Sequence, residues 1–172
     1  MKRTFRLPKD TKGFTLIELV IYVGILGLLL GVMSSIFSAI VDVQLESTST
    51  SGVNQDGRYL LSKLLYDLKN SSAILVPANP GTQSSTMQLT INSINYTYSV
   101  NSGGNLQVVN NSTSETNVLN SYDTSVSGLT FTRVGNGGTS DDVRVTYTLT
   151  SRTTERAKQH ETKTFTTTLG TQ

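Results

Sequence analysis

Glu18 is the residue whose position demands most of its surroundings. It stands directly before 23 uncharged positions, Leu19 to Val41. An unpaired carboxylate at the margin of such a run, in lipid, costs on the order of a few kcal/mol. It therefore calls for a cation, and the chemistry expected of it is ion pairing. Other titratable residues offer less. His160 is the only histidine and lies in the charged stretch Arg156-Ala-Lys158-Gln-His160-Glu161. It lacks the nucleophile and orienting group that a catalytic base needs, so a solvated loop is expected. Asp141 and Asp142 follow a glycine-rich turn and offer oxygen ligands to a hard cation such as Ca²⁺. Two adjacent carboxylates without a spaced ligand set read more simply as a hairpin turn. Arg144, Arg152, Arg156, Lys158 and Lys163 form a basic cluster able to touch DNA phosphates if they share a face. Asp141, Asp142, Glu155 and Glu161 interleave with them, which favours a mixed-charge surface. Cysteine is absent, which excludes a disulfide framework and a thiol nucleophile.

The elements that would position these residues change character along the chain. Residues 1–13 carry five Lys/Arg and one Asp. Basic charge ahead of an apolar span holds that end in the cytoplasm and sends the rest outward. The apolar run is long enough to cross a bilayer, for which about 20 helical residues suffice. It is too long for the core of a cleaved secretory signal. Gly24, Gly27 and Gly31 punctuate it, and the Gly27/Gly31 spacing permits close approach of another helix. Segment 14–45 thus reads as a transmembrane helix. Segment 46–72 follows, opening with the polar run Ser47-Thr-Ser-Thr-Ser-Gly52, whose helix propensity is poor. Leu60, Leu61, Leu64, Leu65 and Leu68 then recur at helical spacing, which predicts an amphipathic helix over about Asp56–Ser72. From residue 73 to 172 the period becomes alternating. Strands are expected at 87–91, 94–100, 106–108, 129–134, 143–149 and 163–169, with Asn92-Ser93 as a tight turn. The expected fold class is α+β: one long N-terminal helix packed on an antiparallel β-sheet domain. Tyr96, Tyr98 and Tyr147 fall at strand positions and read as core or cross-strand residues rather than a base-stacking platform.

The block Lys12-Gly13-Phe14-Thr15-Leu16-Ile17-Glu18-Leu19, followed by an apolar helix, resembles the class III signal of type IV prepilins and pseudopilins. The resemblance is specific over residues 12–45 and is one of layout beyond them. It implies a pilin-like fold and cleavage between Gly13 and Phe14 by a membrane prepilin peptidase, which also methylates the new N-terminal Phe14. It implies assembly with other pilins or pseudopilins by an inner-membrane platform, into a type IV pilus, a competence pilus or a type II secretion pseudopilus. In such an assembly Glu18 of one subunit can pair with the Phe14 amine of its neighbour, because burying both charges unpaired is costly. The resemblance implies no cofactor and no catalysis. Some pseudopilins bind calcium in a loop near the position of Asp141 and Asp142. Many pilins close a C-terminal loop with a disulfide, which this chain lacks. The Tyr59–Lys69 helix and the Gly128–Arg133 strand look most like the PilW-like or J-type minor subunits. A pilus-borne module that binds DNA or a surface, through Arg152, Arg156 and Lys158, is the alternative from another class. A membrane-tethered hydrolase predicts a nucleophile–base pair that the residues do not supply.

The charge balance fits this division. The chain holds 14 Lys/Arg and 12 Asp/Glu. Removing residues 1–13 leaves nine basic and eleven acidic residues, so the basic excess belongs to the leader. No global field then favours nucleic acid.

Overall fold

The computed structural model describes residues 13–135, 142–153 and 160–170. Its first element is helix α1, Leu16–Lys69. The chain divides after Val41 into two compact units.

In the N-terminal unit, Thr15 caps α1: the Glu18 amide donates to Thr15 Oγ1 at 3.3 Å. This satisfies one of the amides that every helix start leaves without an intrahelical partner. Thr15 and Glu18 have the spacing of a capping box. The large apolar side chains from Leu16 to Ile40 are all exposed. By length and composition this is a helix able to cross a membrane.

In the second unit α1 has one buried stripe, at Ser49, Val53, Asp56, Gly57, Leu60, Leu64, Asp67 and Leu68. The stripe starts one full heptad ahead of the expected amphipathic helix, and residues 47–55 are helical without a break. Packing of that face outweighs the poor propensity of its serines and threonines. Small residues are also what the site requires. A Cβ on Gly57 would lie 2.1 Å from Phe165 Cζ, so a strand side chain sits directly on the helix backbone there.

Nine strands follow: β1 Ala73–Val76, β2 Gln83–Ser84, β3 Met87–Ile91, β4 Ile94–Val100, β5 Leu106–Asn110, β6 Glu115–Val118, β7 Thr124–Val134, β8 Asp142–Ser151 and β9 Thr162–Gly170. They form two antiparallel sheets, ordered β1-β3-β4-β5-β6 and β2-β7-β8-β9. The architecture is α+β and pilin-like. The expectation of a single sheet is corrected to two, because β7 pairs with β2 and β8 rather than with β6. The first is a meander whose β3–β4 turn has positive φ at both Asn92 and Ser93 (51° and 65°), the geometry of a two-residue hairpin. The second carries a register shift between Ser127 and Thr130. Gly128, at φ 60°, takes the left-handed conformation this bulge requires.

A single apolar core joins the helix to both sheets. It contains Val53, Leu60, Leu64 and Leu68 from α1, Met87, Leu89, Tyr98 and Leu106 from the first sheet, and Val126, Phe131, Val143, Val145, Tyr147, Leu149 and Leu169 from the second.

Candidate functional site: the N-terminal assembly face

Glu18 and Tyr22 stand four residues apart on one stripe of α1, and Phe14 lies four residues ahead of Glu18, just before the helix begins. Phe14 and Tyr22 meet edge to face, their ring centroids 5.9 Å apart at an interplanar angle of 70°. The Tyr22 hydroxyl lies 3.5 Å from Glu18 Oε1 and donates toward it. Phe14 is 74% exposed and Tyr22 54%. The carboxylate stands in the first turn of α1, where the unpaired amides carry a partial positive charge. It is therefore partly stabilised within its own chain. An ammonium group has access to it from outside, since the helix stripe is open.

Further along the helix, on the side turned away from Glu18 and Tyr22, a Cβ built at Gly24, Gly27 or Gly31 meets nothing within 4 Å. Each glycine leaves open room where another helix backbone could approach. Contiguous apolar exposure on this scale needs a cover of lipid or protein.

The remaining candidates are not brought together. Arg144 lies on β8 opposite Thr132 and Thr168, whereas Lys163 lies opposite Leu149, whose side chain is in the core. Arg144 and Lys163 thus project from opposite faces of the second sheet. Lys163 donates to Asn54 Oδ1 at 2.6 Å and sits 5.5 Å from the Phe165 ring centroid. Arg152 donates to the carbonyls of Thr124 and Gly103 and to Asn105 Oδ1, at 3.0, 2.7 and 3.0 Å. Its guanidinium also lies over the Tyr122 ring. It is thereby built into the loop framework. Arg156 and Lys158 fall outside the described residues, as does Asp141. Asp142 opens β8 between Val134 and Gly170. Among the described residues no group of three or more His, Asp or Glu could hold a metal ion. His160 is exposed, with Nδ1 3.2 Å from the Thr153 carbonyl.

Sequence reasoning missed a set of polar ties between α1 and the sheets. Asp67 accepts from the Tyr98 hydroxyl at 2.7 Å and from Lys63 Nζ at 2.8 Å. Asp56 Oδ2 accepts from the Ser121 amide at 3.0 Å, from Ser121 Oγ at 2.7 Å and from Thr124 Oγ1. The Tyr147 hydroxyl donates to the Gly57 carbonyl at 2.8 Å. Burial, reinforced by the Asp67 carboxylate, pushes the Tyr98 hydroxyl far above its ordinary pKa. Burial pushes Tyr147 up as well, with the charge of Asp56 adding to it. One signal could have found these ties: Asp56 and Asp67 fall on the apolar stripe at helical spacing, where an aspartate needs donors.

An apolar helix with an open face, capped by Thr15 and carrying one carboxylate, followed by antiparallel sheets, defines a pilin-like protein. Residues 8–34 match the prokaryotic N-terminal methylation motif. The N-terminal segment is thus type IV prepilin-like, the match taking in the methylation signal and the first part of the apolar helix. Such a motif implies processing by a prepilin peptidase and assembly with other pilins, and it is consistent with membrane anchoring. Comparisons with curated proteins and with solved structures found no match to this chain.

Proposed function

We propose that this protein is a structural, minor subunit of a type IV pilus, competence pilus or type II secretion pseudopilus. Segment 1–13 is its leader, 14–45 its membrane and assembly helix, 46–72 the helical connection, and 73–172 an extracytoplasmic domain. Prepilin peptidase cuts between Gly13 and Phe14 and methylates Phe14. The subunit waits in the cytoplasmic membrane with its N-terminus inside, and an assembly platform then moves it into the fibre. Glu18 of one subunit pairs with the Phe14 amine of the next. The pair sets the axial register, because any other offset leaves two charges in an apolar surrounding without partners. Gly27 and Gly31 let neighbouring helices approach.

The observation that carries this reading is the methylation motif lying across an open apolar helix whose only acidic residue up to Val41 is Glu18. The test is the N-terminal mass of the chain co-expressed with a prepilin peptidase. Wild type is expected to begin at N-methyl-Phe14, and Gly13→Ala to retain its leader. A chain that still begins at Met1 in the presence of active peptidase would refute the processing step.

A further inference from the structure

We infer that Tyr22 is a positioning residue for Glu18, holding its carboxylate toward the assembly face before a neighbouring subunit arrives. The inference rests on the pairing proposed above and deepens it. Three contacts converge on the first two turns of α1. Thr15 Oγ1 receives the Glu18 amide at 3.3 Å, which fixes the backbone from which the carboxylate departs. The Tyr22 hydroxyl, one turn further on, reaches Glu18 Oε1 at 3.5 Å. The Tyr22 ring in turn rests against Phe14, with centroids 5.9 Å apart. One side chain therefore touches both the Glu18 and the Phe14 of its own chain, each of which pairs with a different neighbour in the proposed assembly.

The physical need is specific. A carboxylate in an apolar span pays desolvation unless a donor faces it, and the side-chain donor placed against Glu18 within its own chain is Tyr22. A phenol suits the purpose, since it brings a hydroxyl on an apolar, membrane-compatible ring. It is neutral, so it satisfies the carboxylate without cancelling the charge that must attract the amine. A carboxylate has two oxygens and about four acceptor sites. With Tyr22 directed at Oε1, Oε2 stays open to an incoming ammonium group. A side chain already held in one rotamer loses less freedom on pairing than a free one. The Phe14 contact keeps the ring in place.

The test uses the full chain, processed by prepilin peptidase and placed in lipid vesicles. The chain contains no cysteine, so one introduced at exposed Thr116 can carry labels for energy transfer between subunits. Tyr22→Phe keeps the ring and deletes only the hydroxyl. It is expected to weaken self-association about three- to tenfold, the size of one ordinary hydrogen bond. The same change made in Glu18→Gln is expected to add little, because the group it positions is gone. In the infrared difference between each protein and its Glu18→Gln partner, the Glu18 carboxylate band should shift when the hydroxyl is removed. An unmoved band, or equal weakening by Tyr22→Phe in both backgrounds, overturns the positioning role. If Glu18→Gln itself leaves association unchanged, the pairing is what fails, and Tyr22 has no such pair to serve.

Discussion

Asp67 and Tyr98 show how much one buried polar contact determines at the scale of a residue. Asp67→Ala removes the acceptor of a fully buried phenol and leaves its hydroxyl without a partner. The expected loss is about 1–3 kcal/mol, read from the urea unfolding midpoint of the full chain in detergent. Tyr98→Phe deletes the donor instead, while Asp67 keeps Lys63 at 2.8 Å. Its cost should be smaller, about 1 kcal/mol. A ranking with Tyr98→Phe the more damaging would show that the Lys63 contact does not sustain the carboxylate. Gly57 makes a steric counterpart. In Gly57→Ala the Phe165 ring must move off the helix and surrender its stacking on Tyr147, at 5.5 Å between centroids. A loss of about 1–3 kcal/mol is expected, part of it recovered by Phe165→Leu in the same chain.

At the scale of elements, α1 is held by different means in its two parts. Its second part is anchored by leucines and by Asp56, which binds both amide and hydroxyl of Ser121 in the segment linking the two sheets. Asn120 continues that tie, accepting from the Leu106 amide and donating to the Thr124 carbonyl. Asp56→Ala is therefore expected to speed hydrogen exchange at the Ser121 amide ahead of global unfolding. Unchanged protection there would assign the order of this segment to its backbone alone. Leu60→Ala, at full burial on the stripe, is expected to cost about 2–5 kcal/mol through lost transfer energy and the cavity left behind. The leucine spacing made the helix readable in advance over about Asp56–Ser72, three residues past its end at Lys69. Residues 47–55 were not, because local propensity opposes a helix there and only the packed sheet overrules it. Strands β3, β4, β5, β8 and β9 and the second half of β7 were equally legible, whereas the four-residue β1 was not. β6 was not, since Glu115, Thr116, Asn117 and Val118 are all exposed and leave no period. Nor was the two-residue β2, which exists by pairing with β7.

At the scale of the molecule, the two raised phenols define a pH limit. Each has a folded pKa above its ordinary value near 10, so the folded state keeps a proton that the unfolded state releases above that pH. The contribution is complete below pH 10 and declines as pH rises beyond it. Unfolding midpoints should be level between pH 7 and 9 and fall above pH 10. Tyr98→Phe combined with Tyr147→Phe should flatten that fall, while lowering the plateau. An alkaline decline equally steep in the double variant would place its origin elsewhere.

The residues of the N-terminus alone determined the prepilin-like character, because cleavage signals, spans and capping residues act through neighbours along the chain. Composition and alternation likewise determined an α+β architecture, since burial of one face imposes its period on the residues. Only the tertiary structure decided that the strands divide into two sheets. It also showed that Arg152 is committed to loop carbonyls and that Asp56 and Asp67 are ties for buried donors. Those outcomes depend on groups distant in the chain: 65 residues separate Asp56 from Ser121, and 31 separate Asp67 from Tyr98. A buried carboxylate and its donor must satisfy each other in space. No local pattern encodes which pair will meet.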